Sequence, residues 1–427
     1  MKARLQALRN SAGVRHGVVM AAAMILAGGL DYAVNVLAGR WLVPIEYGVF
    51  IAVAAILQIL VQLTNTIRNV MAFYTAELKA EGALARLGEF MARALRWGLR
   101  WGLVSTAVLA VLSPPLANLL HLPNAWPMWA ACPAVLMFFV RCITDGGLQG
   151  TQSFTGFGLV QVTQSFLRLV LAACFIWLGY QSAGAIVALP LACALSLAVA
   201  FWFLRPYLRK RGAPLARSVS WHYSAYTLLG LSAFAILTNL DAVFVKRFFS
   251  PQVAGNYAPV VTLAKISLFA PLALGIVMFP KVTQRQVAGR DPRPILMMAL
   301  TATLIPGLML TLMFFWFPST IVKLIFTGAY ADPGAVLGLA TLAATLYAGL
   351  NIWLNYALSL ERPAFVYALA FVLVAQVTCM FVFCRQSLLS MTTTMVAGGF
   401  AGHIAGFATA WSTASKPARV PAEAVEL

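Results

Sequence analysis

Leu37-Ala-Gly-Arg-Trp-Leu-Val-Pro-Ile-Glu-Tyr-Gly-Val-Phe50 decides the reading of this chain, because its pattern returns far downstream. Arg40, Pro44 and Gly48 line up with Arg247, Pro251 and Gly255 at a constant offset of 207 residues. The offset continues without a gap through Val53/Val260, Ile59/Ile266, Val70/Val277 and Met71/Met278. Matches between apolar residues come cheaply in so apolar a chain; matches of Arg, Pro and Gly do not. Each copy also sits between one long apolar segment and the next. The chain therefore reads as two copies of one membrane unit. In such repeats two bundles around a central cavity can rock to expose it to either side.

Composition sets the class. Of the 427 residues, 61% are apolar and only 10% charged, against about 25% charged in soluble proteins. Mean hydropathy is +0.85. A helix needs roughly 20 apolar residues to cross the hydrocarbon core. Twelve segments meet that need: 17–39, 47–66, 101–120, 127–149, 157–178 and 183–204, then 223–245, 257–279, 295–317, 335–357, 364–384 and 391–411. They are continuous rather than alternating, which excludes a β-barrel of short alternating strands. The expected fold class is an all-α integral membrane protein, with twelve helices in two pseudo-symmetric six-helix bundles around a central cavity.

Charge orients the chain. With the N-terminus inside, the inner regions hold 22 Lys and Arg, the outer loops 5, and the spans the remaining three. This bias puts both termini in the cytoplasm of a multi-pass protein. It also accounts for the net charge of +18 without a nucleic acid partner, since the basic residues are scattered over several loops. The six cysteines fall in or at the edges of spans with no metal-ligand spacing, and read as inert buried thiols. The basic N-terminus followed by an apolar run resembles a signal peptide, but the run is too long for a cleaved one and reads as a retained first helix.

The expected organisation is an N-terminal bundle over 1–204, a basic linker over 205–222, a C-terminal bundle over 223–411 and a short tail over 412–427. The linker contains Arg205-Pro-Tyr-Leu-Arg-Lys-Arg-Gly-Ala-Pro214, where Pro, Gly and charge leave no core. The tail is expected to be disordered. In Ala76–Arg100, Leu78, Leu84, Leu87, Met91 and Leu95 recur at helical spacing between charges. This fits either a helix lying in the inner interface or an extension of the third span. Pro114, Pro115, Pro133, Pro190, Pro259, Pro271 and Pro306 fall within or at the ends of spans and permit kinks.

Charged residues inside spans are costly and usually face a cavity or a partner. Arg141 and Asp145, four apart, share a helix face and fit an intrahelical pair. Gln161, Gln164 and Arg168 form a polar stripe on the fifth span. Lys265 stands in the eighth span, with no acid nearby in sequence. Asp31 with Asn35, and Asn239 with Asp241, place polar groups in the first and seventh spans. Two readings follow. Arg141, Arg168 and Lys265 line a cavity for a phosphate-bearing head group, because cations in low dielectric attract anions and the Arg fork suits phosphate. Alternatively, the cations pair with Asp31, Asp145 and Asp241 for packing, gating or ion coupling. Asn35, Gln161, Gln164 and Asn239 are polar cavity candidates. His403 reads as a hydrogen-bonded core residue rather than a proton carrier, and Asn351 with Asn355 as helix glue.

The run Leu37–Phe50 resembles the end of the first helix of polysaccharide-export flippases. So does Asp241-Ala-Val-Phe-Val-Lys-Arg-Phe-Phe-Ser-Pro-Gln-Val-Ala-Gly-Asn-Tyr257, followed by Leu272-Ala-Leu-Gly-Ile-Val-Met-Phe-Pro280. The resemblance is to the Wzx-type oligosaccharide flippase branch of the multidrug/oligosaccharidyl-lipid/polysaccharide exporter superfamily. It implies two bundles in a V and alternating access coupled to an ion gradient of H+ or Na+, with no other cofactor and no metal. It also implies movement of polyprenyl-diphosphate-linked oligosaccharide to the outer leaflet of a bacterial inner membrane. Implied partners are the lipid-linked oligosaccharide, membrane lipids and other polysaccharide biosynthesis and export proteins. Cationic cavity residues are a feature of the branch, which Arg141, Arg168 and Lys265 match in kind.

The alternative within the superfamily is a drug/cation antiporter, which Asp31 and Asp241 support and the intramembrane cations oppose. A lipid II flippase would have two further helices. A membrane enzyme, such as a glycan polymerase or acyltransferase, would need a large outer loop or a His/Asp pair. His121 and His222 have no suitable acid near them in sequence, so the expectation is a protein that is not an enzyme.

Overall fold

Pro44 explains how each copy of the repeat begins. It occupies the first turn of a helix behind Val43, whose extended backbone (φ −65°, ψ 152°) is the conformation a following proline demands. Pro251 opens its helix in the same way. Each copy is thus a helix end carrying Arg, a short break, and a proline-started helix with glycine one turn in.

The computed structural model describes residues 12–209, 221–268, 282, 285, 291–326, 328–360 and 362–412. They form thirteen α-helices, with no strand among the described residues. The first bundle contains α1 (Ala12–Trp41), α2 (Pro44–Ala80), α3 (Leu84–Leu119), α4 (Trp126–Gly150), α5 (Phe154–Trp177) and α6 (Gln181–Leu208). After these come α7 (Trp221–Phe248), α8 (Pro251–Ala264) with a 3-10 turn Lys265–Leu268, α9 (Arg293–Trp316) and the short α10 (Pro318–Ile325). The chain then forms α11 (Ala335–Ser359), α12 (Ala364–Phe383) and α13 (Leu388–Ser412). Among the described residues, ten helices are long and apolar enough to cross a membrane. The two other expected spans fall on α13 and on the segment that α8 begins. Pro271, most of the linker and the tail lie outside the described residues.

The chain divides into two compact units. Residues 1–220, 242–262 and 322–331 make the first; 221–241, 263–321 and 332–427 make the second. In the first, α4 packs against α2, α3, α5 and α6. In the second, α11 packs against α9, α12 and α13. Both central helices correspond to the fourth expected span of their half, the short α10 not being a span. Apolar residues cover the outside of the helices. In the first unit, exposed Trp41, Trp126 and Trp177 mark one end, and Trp97, Trp101 and Trp202 the other, as expected of aromatic belts at two interfaces. The molecule is a multi-pass helical membrane protein.

Within Ala76–Arg100, residues 76–80 end α2 and residues 84–100 extend the third span, so the stretch is not a separate interfacial helix. The chain turns at Gly82, whose φ of +68° suits glycine, and α3 then runs unbroken from Leu84. Leu78, Leu87 and Met91 are buried with Met71, Leu148, Phe157 and Leu204, so their apolar stripe packs within the protein rather than on lipid. Pro114, Pro115, Pro133, Pro190, Pro259 and Pro306 all lie inside helices. All six cysteines are free, but Cys174 and Cys379 are exposed, contrary to the expectation of burial. Their faces are apolar, so hydrophobic surroundings did not require packing.

Candidate functional site

Five helices of the first unit surround a cavity of about 240 Å³. Its charged lining comes from Asp31 on α1, Arg68 on α2, Arg141 and Asp145 on α4, and Arg168 on α5. Gln58 and Asn65 of α2 and Gln161 and Gln164 of α5 add amides. Phe50, Leu57 and Val61 of α2 and Ile186 and Leu189 of α6 supply apolar wall. Helical spacing delivers these groups: Gln161, Gln164 and Arg168 share one stripe of α5, as do Gln58, Asn65 and Arg68 on α2.

Two ion pairs organise the polar groups. Arg141 Nη2 donates to Asp145 Oδ2 at 3.1 Å and to Gln161 Oε1 at 3.0 Å, while Nη1 reaches Ser196 Oγ at 3.4 Å. Gln161 Nε2 donates to the same Asp145 oxygen at 3.3 Å. The Arg141 and Asp145 side chains are only 8% and 9% exposed. The intrahelical pair read from the four-residue spacing is present. The second pair joins Arg168 Nη1 to Asp31 Oδ1 at 3.0 Å, with Ser165 Oγ donating to Asp31 Oδ2 at 3.0 Å. Here Asp31 is 38% exposed, so this pair opens into the cavity.

Arg68 is the cavity cation that sequence reading missed. It lies just past residue 66, where the apolar run stops, and so reads in sequence as part of an inner loop. The helix does not stop there: α2 has 37 residues and is about 55 Å long, well beyond a bilayer core of about 30 Å. Arg68 makes no ion pair among the described residues, and its buried Nε has no hydrogen-bond partner. The buried Asp145 Oδ1 and Arg168 Nε are likewise unpartnered. Three guanidinium groups share two carboxylates, with Asp145 acting electrostatically on Arg68 as well as on Arg141, so the charged wall carries one net positive charge. The alternation of Arg and Lys with acid in the sequence could not reveal which cation would be left over.

The remaining predicted residues lie elsewhere. Lys265, Asn239 and Asp241 belong to the second unit and do not line this cavity. Lys265 Nζ donates to Asn239 Oδ1 at 2.8 Å, and Asp241 is the carboxylate that acts on it electrostatically. At the repeat offset, Lys265 stands where Gln58 stands. Asn35 Nδ2 returns to Asp31 O of its own helix at 2.9 Å and does not line the cavity. Asn355 Nδ2 bonds Asn351 Oδ1 at 2.9 Å on one helix, so this pair does not glue two helices. His403 Nδ1 accepts from Trp353 Nε1 at 3.1 Å, and Nε2 lies 3.0 Å from Leu346 O. That arrangement suits neutral imidazole with the proton on Nε2, the core role expected. No cluster of potential metal ligands occurs among the described residues.

No family model and no curated protein matches the chain. Solved structures do. An inward-facing multidrug resistance MATE family transporter of the MOP superfamily aligns with a TM-score of 0.67 at 14% identity, over 90% of this chain and 96% of that one. A eukaryotic MATE transporter gives a TM-score of 0.64 at 13% identity, over 92% and 94%. A MOP superfamily transporter from Pyrococcus furiosus, for which a reverse polarity of the binding pocket suggests a different function, gives 0.59 at 16% identity, over 92% and 95%. At such identities the likeness is one of fold. The chain shares the fold of these MATE and MOP superfamily transporters, and the polysaccharide-export branch expected from the two motifs is not shown by them.

Proposed function

We propose that this protein is an alternating-access membrane transporter that exports an amphiphilic solute in exchange for an ion. The structures it resembles weigh toward antiport of this kind and away from flipping of a lipid-linked oligosaccharide. The cavity carries the reading. It is polar, walled by apolar side chains, and, just below the usual volume of ligand pockets, sized for the head group of a small amphiphile. Its one net positive charge opposes a bare cation and favours a cargo with an acidic or zwitterionic group. Asp31, exposed and salt-bridged, is the carboxylate best placed to exchange its partner for a coupling ion. The excess of inner Lys and Arg supports cytoplasmic termini.

The test is export from efflux-deficient cells of matched fluorescent amphiphiles that are cationic, zwitterionic or anionic. Gradient-dependent export of the anionic or zwitterionic probe is expected, with Arg68→Ala lowering it by about tenfold, the value of one charged hydrogen bond. Export of the cationic probe alone would overturn the cargo assignment.

One observation favours a second reading. The open fork of Arg68 suits a phosphate, as flipping of a polyprenyl-diphosphate-linked oligosaccharide would need. In its native host, deletion of the gene would then strand that lipid on the cytoplasmic face. A normal distribution would remove this reading and leave the first.

A further inference from the structure

The duplicated motif takes no part in the cavity's ion pairs, yet it is the strongest repeat in the chain. Within the first unit the two copies meet. A Cβ on Gly48 would lie 3.0 Å from Gly255 N and 3.1 Å from Ala254 C, and a Cβ on Gly255 would run into the Pro44 carbonyl. The first turns of α2 and α8 therefore touch backbone to backbone, which glycine at both positions allows.

The two motif arginines extend this contact reciprocally. Arg40 Nε donates to Ile325 O at 2.7 Å and Nη2 to Leu324 O at 3.0 Å. These are orphan carbonyls at the end of α10, just past the third span of the second half. Arg247 reaches the other way, its Nη1 3.0 Å from His121 Nε2, just past the third span of the first half. Each arginine thus leaves its own half of the sequence and holds the same segment of the other. Tyrosines reinforce the contact: Tyr330 OH donates to Gly39 O at 2.5 Å, and Tyr47 OH lies 2.5 Å from Thr262 Oγ1. Burial pushes the Tyr330 phenol above its usual pKa, so it stays a donor. Lys246 is only 2% exposed and its Nζ has no hydrogen-bond partner. Glu46, which acts on it electrostatically, is occupied by the Ser182 hydroxyl and N–H. A buried ammonium without a bond disfavours this packing, so the contact is held by some groups and strained by another.

We propose that the duplicated Arg–Pro–Gly motif is a two-armed latch, shut in this conformation, whose arms release together once per transport cycle. It rests on the transporter reading, but its test needs no substrate. Gln58→Cys places a thiol on the cavity wall. Right-side-out and inverted membrane vesicles are labelled with an impermeant maleimide, and the site is read by peptide mass spectrometry with the native thiols in place. Arg40→Ala and Arg247→Ala should each raise labelling from the latch side about tenfold, the equivalent of one charged hydrogen bond, and lower it from the other side. His121→Ala should act like Arg247→Ala. Lys323→Ala, an exposed neighbour outside the motif, should change nothing. Where Arg40→Ala does not reach the membrane, Arg40→Lys, which keeps the charge but not the fork, should give a smaller rise. Parental labelling in all the arginine variants at equal abundance would overturn the latch and leave the transporter reading intact. Failure of every probe to be exported would instead remove the transporter reading.

Discussion

Arg141 and Arg168 look alike in sequence and differ in what surrounds them. Arg141 and Asp145 are almost fully enclosed, and loss of one partner leaves an uncompensated charge that costs about 3–5 kcal/mol. Asp145→Ala should therefore lower thermal stability in detergent sharply, while Arg141→Met combined with Asp145→Leu should recover most of the loss. Asp31 is 38% exposed, so solvent screens its pair, and Asp31→Asn should cost less than about 1 kcal/mol. Its effect should fall on ion-coupled transport instead, read as export against an imposed gradient. The pairing of Arg141 with Asp145 was legible because four residues bring two side chains to one helix face. The pairing of Arg168 with Asp31 was not, because nothing in either helix specifies that α1 and α5 lie together.

At the scale of the element, small residues decide how closely helices approach. Gly146 and Gly150 of α4 face the backbone of α2. A Cβ on Gly146 would meet Arg68 O at 2.5 Å and Met71 Cβ at 2.6 Å; one on Gly150 would run into Ala72 O. This is the small-xxx-small pattern of membrane helices. Gly146→Ala should destabilise by about 1–3 kcal/mol through overpacking and displace the turn that carries Arg68, so that export falls along with thermal stability. Gly29→Ala is the control: nothing lies within 4 Å of its added Cβ, and it should be neutral or mildly stabilising, since alanine is the better helix former. The length of α2 is the corresponding lesson for sequence reading. A hydropathy window ends the span at residue 66 because polar groups appear there. The helix continues because Met71 and Leu78 are buried in a cluster with Leu87 and Met91 of α3, Leu148 of α4, Phe157 of α5 and Leu204 of α6.

For the whole molecule, the charge bias predicts reporter behaviour. A cytoplasmic reporter fused after Ser412 should be active, and a periplasmic one inserted between residues 122 and 125 should be active only there. The opposite pattern would reverse the orientation and the side on which the latch lies. Composition alone determined that this chain lives in a bilayer, since so few charges cannot solvate so much apolar surface in water. Periodicity and length determined that it spans as helices, since lipid leaves backbone groups no other partners. The repeat determined two matched halves. Only the tertiary structure decided which cations share a cavity, that Arg68 is left without an ion pair, that Lys265 belongs to another cluster, and that the motif arginines cross between halves. Those outcomes rest on contacts between residues far apart in sequence, such as Arg40 with Ile325. Local sequence carries helix faces and helix ends, but it does not carry which faces meet.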